Sequence, residues 1–398
     1  MPSKIPIGPY HPLQDEPEHF VLTVEGERVI DIDVQIGYNH RGIEKLAESK
    51  TYDQVPFLVE RICGICSMSH PLAFCLAVED CAGIEVPERA NYIRTILDEI
   101  RRLHSHLLWA GLAGHFLGYN TVWMWAWKYR EPLLELSEVL TGNRNHYGMI
   151  KVGGVRRDLD PAHYPLIRKA MDELKPKLAM LYHAVLDDPV LHARLEGVGH
   201  LSKEDAVRFG VLGPTARASG VDIDVRRDYP YGASDKVDWQ VITSERGDLL
   251  ARVEVRLLEC LESVKMIEGC LAQIEPGPIS SDVPKKIALG EGIGQVEAPR
   301  GECFHYVVAN GTDKPERLKI RAPTYMNLPS FRATCIGETV SDVVLILAGI
   351  DPCYCCTERM VRIKEGRRET RLSWEKLLEL SWEKTARLQR EVNCGRLG

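Results

Sequence analysis

The chain has 398 residues, of which 44% are hydrophobic and 27% charged, with a net charge of −7 and a pI near 6.0. This is ordinary for a soluble globular protein, and the length suits one large domain or two intimate ones. With no basic footprint, the balance argues against nucleic-acid binding. No run approaches the roughly 18 apolar residues that a membrane span needs; the best candidate, Val343 to Ile350, falls well short. The opening MPSKIPIGPYHP lacks the charged and apolar regions of a signal peptide, so the expected location is the cytoplasm.

Residues 8–20 (GPYHPLQDEPEHF) are rich in proline and turn formers and read as an ordered loop. Residues 20–36 alternate apolar and polar around a glycine, the pattern of a β-hairpin. From about residue 39 the period becomes helical. Residues 88–117 place Ile93, Ile96, Leu97, Ile100, Leu103, Leu107 and Leu108 on one stripe, and further helices are expected over 122–140, 161–185 and 242–273. The stretch 141–160, with its Gly153-Gly154 step, reads as loop-rich. Residues 291–322 look like two or three short strands with turns at Gly301 and Asn310-Gly311, and helix resumes over 338–350. The expected class is mainly α (α+β), a long-helix bundle with small peripheral β-sheets and no clear internal linker. The domain reading is a single unit over 1–359 followed by a charged extension over 360–398.

Twelve cysteines are many for a reducing compartment, where metal ligation or packing is a better reading than disulfides. Five sit in two clusters, Arg61-Ile62-Cys63-Gly64-Ile65-Cys66 and Asp351-Pro352-Cys353-Tyr354-Cys355-Cys356. Cys75, Cys81, Cys260, Cys270, Cys303, Cys335 and Cys394 are scattered and read as packing residues. Each cluster contains C-x-x-C, a spacing that lets two thiolates reach one metal. Taken alone, this leaves a redox metal, a structural zinc and simple packing all open. Small zinc modules bring their pairs together within about 15–20 residues, whereas nearly the whole chain separates these two. Soft thiolates suit nickel, zinc or iron–sulfur clusters.

R-x-C-G-I-C-x-x-x-H near one end and D-P-C-x-x-C-x-x-R near the other resemble the large subunit of [NiFe]-hydrogenases. Within these, the chain is most similar to the membrane-associated, energy-converting group related to the large quinone-site subunit of complex I. Supporting segments are Gly37-Tyr38-Asn39-His40-Arg41-Gly42-Ile43-Glu44-Lys45, Glu297-Ala298-Pro299-Arg300-Gly301 and Arg321-Ala322-Pro323-Thr324. The resemblance covers residues 5–360.

The resemblance implies a Ni-Fe centre held by Cys63, Cys66, Cys353 and Cys356, with Cys66 and Cys356 bridging nickel to an iron that carries CO and cyanide. The activity it implies is reversible cleavage of H2 into hydride and proton. Glu16 matches the family's proton-relay glutamate; its bland reading is a solvated loop carboxylate. Arg300 matches the arginine above the open metal position, with Asp351 beside it, against the alternative of a surface strand residue. Arg61 and Arg321 are expected to contact the diatomic ligands or nearby carboxylates. In standard members a glutamate at the place of Glu44 helps hold a divalent ion, Mg or Fe, with a C-terminal histidine. Here Arg359 stands where that histidine would be, and a cation cannot ligate a metal, so the alternative is that Glu44 pairs with an arginine. His40, His104, His106 and His115 read as structural histidines, and His70 is the one expected to sit against the metal ligands.

Cleavage of a precursor at Arg359-Met360 and retention of SWEKLLELSWEKTARLQREV as a docking helix are both open. The partners implied are a small subunit with a [4Fe-4S] cluster, further iron–sulfur subunits and a membrane arm that pumps ions, which would attach the chain peripherally to the cytoplasmic membrane. Two other classes compete: a complex I-like quinone-site subunit, whose kind lacks the cysteine pairs, and a non-enzymatic zinc scaffold built on the four cysteines.

Overall fold

The computed structural model describes residues 2–12, 14, 16–357, 362–365, 368–371 and 374–394. The chain divides into two compact units, Met1–Thr357 and Glu358–Gly398. The fold of the first is mainly helical with small antiparallel sheets.

An antiparallel sheet opens the chain, with strands β1 (Ser3–Ile7), β2 (His19–Glu25) and β3 (Arg28–Gln35) in sequential order. Strands β2 and β3 are the expected hairpin. Phe20, Leu22, Val24, Val29 and Ile32 are buried, and Gly26 turns the chain at φ 62°. Strand β1 was not legible from the alternation, because its short run contains a proline. It pairs from Ser3↔Val24 to Ile7↔Phe20 and so anchors both ends of the loop that carries Glu16.

Five longer helices form the body: α1 (Ser69–Ala82), α2 (Glu88–Phe116), α3 (Asn120–Thr141), α4 (Tyr164–Leu186) and α5 (Leu249–Gln273). Helix α5 starts later than its apolar period suggests. Asp248 caps it, its side chain accepting the Ala251 N–H at 2.8 Å, and Asp248 itself is extended. Helix α2 buries far more than its apolar stripe: Arg94, Asp98, Glu99, Arg102 and His106 are all enclosed. Burial of charge demands partners. Arg94 meets Glu79 at 2.6 Å, Arg226 meets Glu99 at 3.1 Å and Asp224 at 2.7 Å, and Arg217 meets Glu259 and Glu297 at 2.8 Å each.

A second antiparallel sheet, β4 (Gly290–Ala298), β5 (Gly301–Ala309) and β6 (Pro315–Arg321), follows the expected strands. Strand β4 runs against α1 so closely that a Cβ on Gly292 would lie 2.0 Å from the Ala77 carbonyl oxygen, and one on Gly294 only 1.9 Å from that of Ala73. Glycine is required there. The β4–β5 turn, Pro299-Arg300, carries the Arg300 side chain into the interior. Helix α6 (Val340–Gly349) then ends just before Asp351, which adopts φ 55°.

The second unit holds β7 (Arg362–Glu365), antiparallel to β8 (Arg368–Arg371), and helix α7 (Trp374–Cys394). No helix among the described residues is long and apolar enough to cross a membrane.

Candidate metal centre

Cys63 and Cys66 lie between a 3-10 turn (Glu60–Ile62) and the start of α1, while Cys353 and Cys356 lie on the loop after α6. The fold brings them together. Cys63 Sγ is 3.1 Å from Cys353 Sγ, Cys353 Sγ is 3.0 Å from Cys356 Sγ, and Cys66 Sγ is 3.8 Å from Cys356 Sγ. All four sulfurs lie within 4.8 Å of one another, and none of the four residues is more than 7% exposed. The backbone N–H groups of Ile65 and Cys66 donate to Cys63 Sγ at 3.3 Å each, and the Cys353 N–H donates to Thr324 Oγ1 at 3.1 Å.

Two arginines fasten the loops. Arg41 donates to the carbonyls of Arg61 at 2.8 Å and Ile62 at 2.7 Å, and to that of Cys355 at 3.3 Å, joining the two cysteine segments. Arg101, from α2, donates to the Gly64 carbonyl.

Four buried thiols this close cannot all ionise without a cation. Hydrogen bonds from Cys353 and Cys356 hold Cys66 well below the usual thiol range. Cys356 is driven well above it by Cys353 and its other neighbours. For Cys353 the hydrogen bond with Cys356 pulls downward, but Cys63, Cys66 and burial outweigh it and the thiol is raised as well. A soft transition ion resolves this conflict by accepting several thiolates at once. The donor set therefore fits a nickel–iron group.

Glu16 reaches the centre through the β1–β2 loop. Its Oε2 accepts the Cys355 N–H at 2.7 Å and its Oε1 stands 3.9 Å from Cys353 Sγ. Position 355, which had no assignable role from sequence, thus holds Glu16 through its backbone. Arg300 is buried. Its Nε donates to the Asp351 carbonyl at 2.7 Å, one terminal nitrogen to Asp351 Oδ1 at 2.5 Å and the other to Ser105 Oγ at 3.1 Å. Burial opposes the charge, but Asp351 and the cysteines more than compensate and hold the guanidinium protonated.

Arg61 and Arg321 turn to carboxylates. Arg61 pairs with Glu60 and donates to the Phe57 carbonyl at 3.1 Å, while Arg321 pairs with Glu302 and lies 4.9 Å from the Phe304 ring centroid. Glu44 meets Lys319 Nζ at 2.8 Å and the Ile320 N–H at 3.0 Å, so a lysine is a cationic partner of this carboxylate. Arg359 and the Arg359-Met360 bond lie outside the described residues.

Among the histidines, His104 meets Arg130 at 2.6 Å, His106 meets Glu259 at 3.0 Å and His115 meets Asn120 at 3.1 Å. His40 is exposed. His70 differs: its Nε2 is 3.6 Å from Cys356 Sγ and its Nδ1 is 3.1 Å from His305 Nε2 and 3.4 Å from Cys303 Sγ. Sequence reasoning missed Cys303 and His305. The signal available was their i, i+2 spacing on a strand, which puts both on one face.

The chain matches two family models: the Respiratory-chain NADH dehydrogenase, 49 Kd subunit, over residues 117–289 and 284–359, and the Nickel-dependent hydrogenase over residues 41–111. It is 41% identical to the membrane-bound hydrogenase subunit alpha of Pyrococcus furiosus, across 98% of this chain and 95% of that protein. The chain belongs to the nickel–iron hydrogenase large-subunit family, in the energy-converting group related to complex I. It is also 38% identical to an NADH-quinone oxidoreductase subunit of Rhizobium etli, over 87% of this chain and 93% of that one. A chain in the solved structure of the membrane-bound sulfane sulfur reductase, an archaeal respiratory membrane complex, superposes with a TM-score of 0.86 at 34% identity, covering 90% of this chain and 98% of its own. By their names, all three relatives are parts of oxidoreductases.

Proposed function

We infer that the chain is the catalytic subunit of an energy-converting hydrogenase that interconverts H2 with protons and electrons. The observation that carries this reading is the convergence of all four thiols with the Arg300–Asp351 pair above and Glu16 beside them. A quinone-site subunit has no use for four buried convergent thiols, and a structural zinc has none for a buried guanidinium next to it.

Cys63, Cys66, Cys353 and Cys356 would hold a nickel–iron group bearing CO and cyanide, which when bound supplies the two-electron site for H2 cleavage. The protein's own contribution is to hold charge and move the proton. Arg300 is a fixed cation, with Asp351 and Ser105 fixing its fork, and it favours negative charge developing at its feet. Glu16 is the base within reach of the Cys353 sulfur, oriented by the Cys355 amide. Proton transfer then runs from Cys353 Sγ to Glu16 Oε1. Glu44, already bonded to Lys319, serves this reading as a structural anchor for β6 rather than as a ligand for a divalent ion. The electrons pass to a small subunit with a [4Fe-4S] cluster and on to further iron–sulfur and membrane ion-pumping subunits, consistent with relatives that are parts of membrane complexes.

Metal analysis and infrared spectroscopy of the chain in its native complex test this. Nickel with CO and cyanide stretching bands and H2 evolution is the expected result. Zinc alone at the four cysteines, or reduction of sulfane sulfur without hydrogen turnover, overturns it.

A further inference from the structure

Helix α1 and strand β5 bring a second set of ligand atoms together behind the cysteines. Cys303 and His305 alternate on the buried face of β5, and His70 comes from the first turn of α1. All three are buried, and one ligand atom from each lies within 4.8 Å of the other two. Gly292 and Gly294 of the neighbouring strand let the sheet approach α1 this closely.

We propose that His70 Nδ1, His305 Nε2 and Cys303 Sγ form a second metal site, for a single zinc ion, that touches the four-cysteine centre through the His70 ring. The argument is one of lone pairs. His70 Nδ1 faces both His305 Nε2 at 3.1 Å and Cys303 Sγ at 3.4 Å. A nitrogen has one lone pair or one proton, so a hydrogen bond serves one of these contacts well and leaves the other poor. A cation among the three atoms satisfies all of them. One thiolate with two neutral imidazoles is a borderline-soft donor set of the kind zinc takes, with a bound water completing its four-coordinate shell. Zinc with one thiolate leaves a net positive charge beside the buried thiols, which is electrostatically favourable. The fold also provides the outer support that metal-bound histidines need. With Nδ1 on the ion, His70 keeps its Nε2 proton and donates it toward Cys356 Sγ, 3.6 Å away. Loading the site releases the Cys303 proton.

This inference does not rest on the hydrogenase reading, and one set of samples separates the two. Zinc and nickel are measured in the native complex for the unaltered chain, Cys303→Ser, His305→Gln and Cys63→Ser. The expected result is one zinc per chain, lost in Cys303→Ser and His305→Gln, with nickel lost only in Cys63→Ser. Zinc-edge X-ray absorption of the unaltered complex gives an answer needing no variant, with one sulfur at about 2.3 Å and two nitrogens at about 2.0 Å expected. Absence of zinc with nickel present overturns the second site alone. Zinc in a four-sulfur shell, lost in Cys63→Ser and kept in Cys303→Ser, overturns both readings.

Discussion

Glu16 and Cys355 are 339 residues apart, and a 2.7 Å hydrogen bond from the Cys355 backbone N–H to Glu16 Oε2 joins them beside the four cysteines. That bond leaves Glu16 Oε1 facing the Cys353 sulfur. The loop after β1 and the loop after α6 are thereby clamped to each other beside the four thiols.

Glu16→Gln keeps an oxygen acceptor for the Cys355 amide but removes the titrating group. Hydrogen evolution should fall about 100-fold or more, while nickel content and infrared bands stay as in the unaltered protein. Retained turnover at normal nickel content would remove Glu16 from the proton path.

Arg300→Lys preserves one positive charge and loses the fork that bonds Ser105 and two oxygens of Asp351. Lysine cannot reproduce such a geometry. A loss of roughly 10²–10³ in turnover is expected, with the four cysteines still metal-loaded. Enzyme assay alongside metal analysis checks it.

Asp98 gives a pH dependence with a defined sign. Burial pushes its carboxyl up to about 7, against the opposing pull of Arg102 and the Tyr231 hydroxyl that donates to it at 3.1 Å. The folded chain thus binds this proton more tightly than the unfolded chain, whose aspartate titrates near about 4. Its contribution is full below about pH 4 and is lost as pH rises through about 7. Asp98→Asn still accepts from Tyr231 and removes the titration. Relative to this variant, the unaltered chain should lose up to roughly 4 kcal/mol between those limits, read by denaturant unfolding at a series of pH values.

Gly294→Ala would place a methyl carbon 1.9 Å from the Ala73 carbonyl oxygen unless β4 moves away from α1. Overpacking of this kind costs about 3 kcal/mol or more. A lowered melting temperature is expected, together with weakened zinc retention, because the same approach sets the distance between His70 and β5. Gly277→Ala in an exposed turn, where the nearest atom to the added carbon stands 3.8 Å away, is the comparison and should change neither.

Local elements and ligand pairs could be read from the order of residues. Helical and two-residue periods depend on neighbours a few positions apart, so α2, the β2–β3 hairpin and the strands over 290–321 were open to direct reading. C-x-x-C spacing is also local, and Arg300, Asp351 and Glu16 were legible as positions through the family resemblance. Where side chains from distant segments meet was settled only by packing. Arg61 and Arg321 turned to Glu60 and Glu302, Glu44 took Lys319, and α2 buried its charged face against Arg226 and Glu259. Cys303, read from sequence as a packing residue, came to rest on His70. No periodicity encodes such meetings: a charge on a helix is free to be solvated or paired, and only the chain packed against it supplies the partner that offsets the cost of its burial.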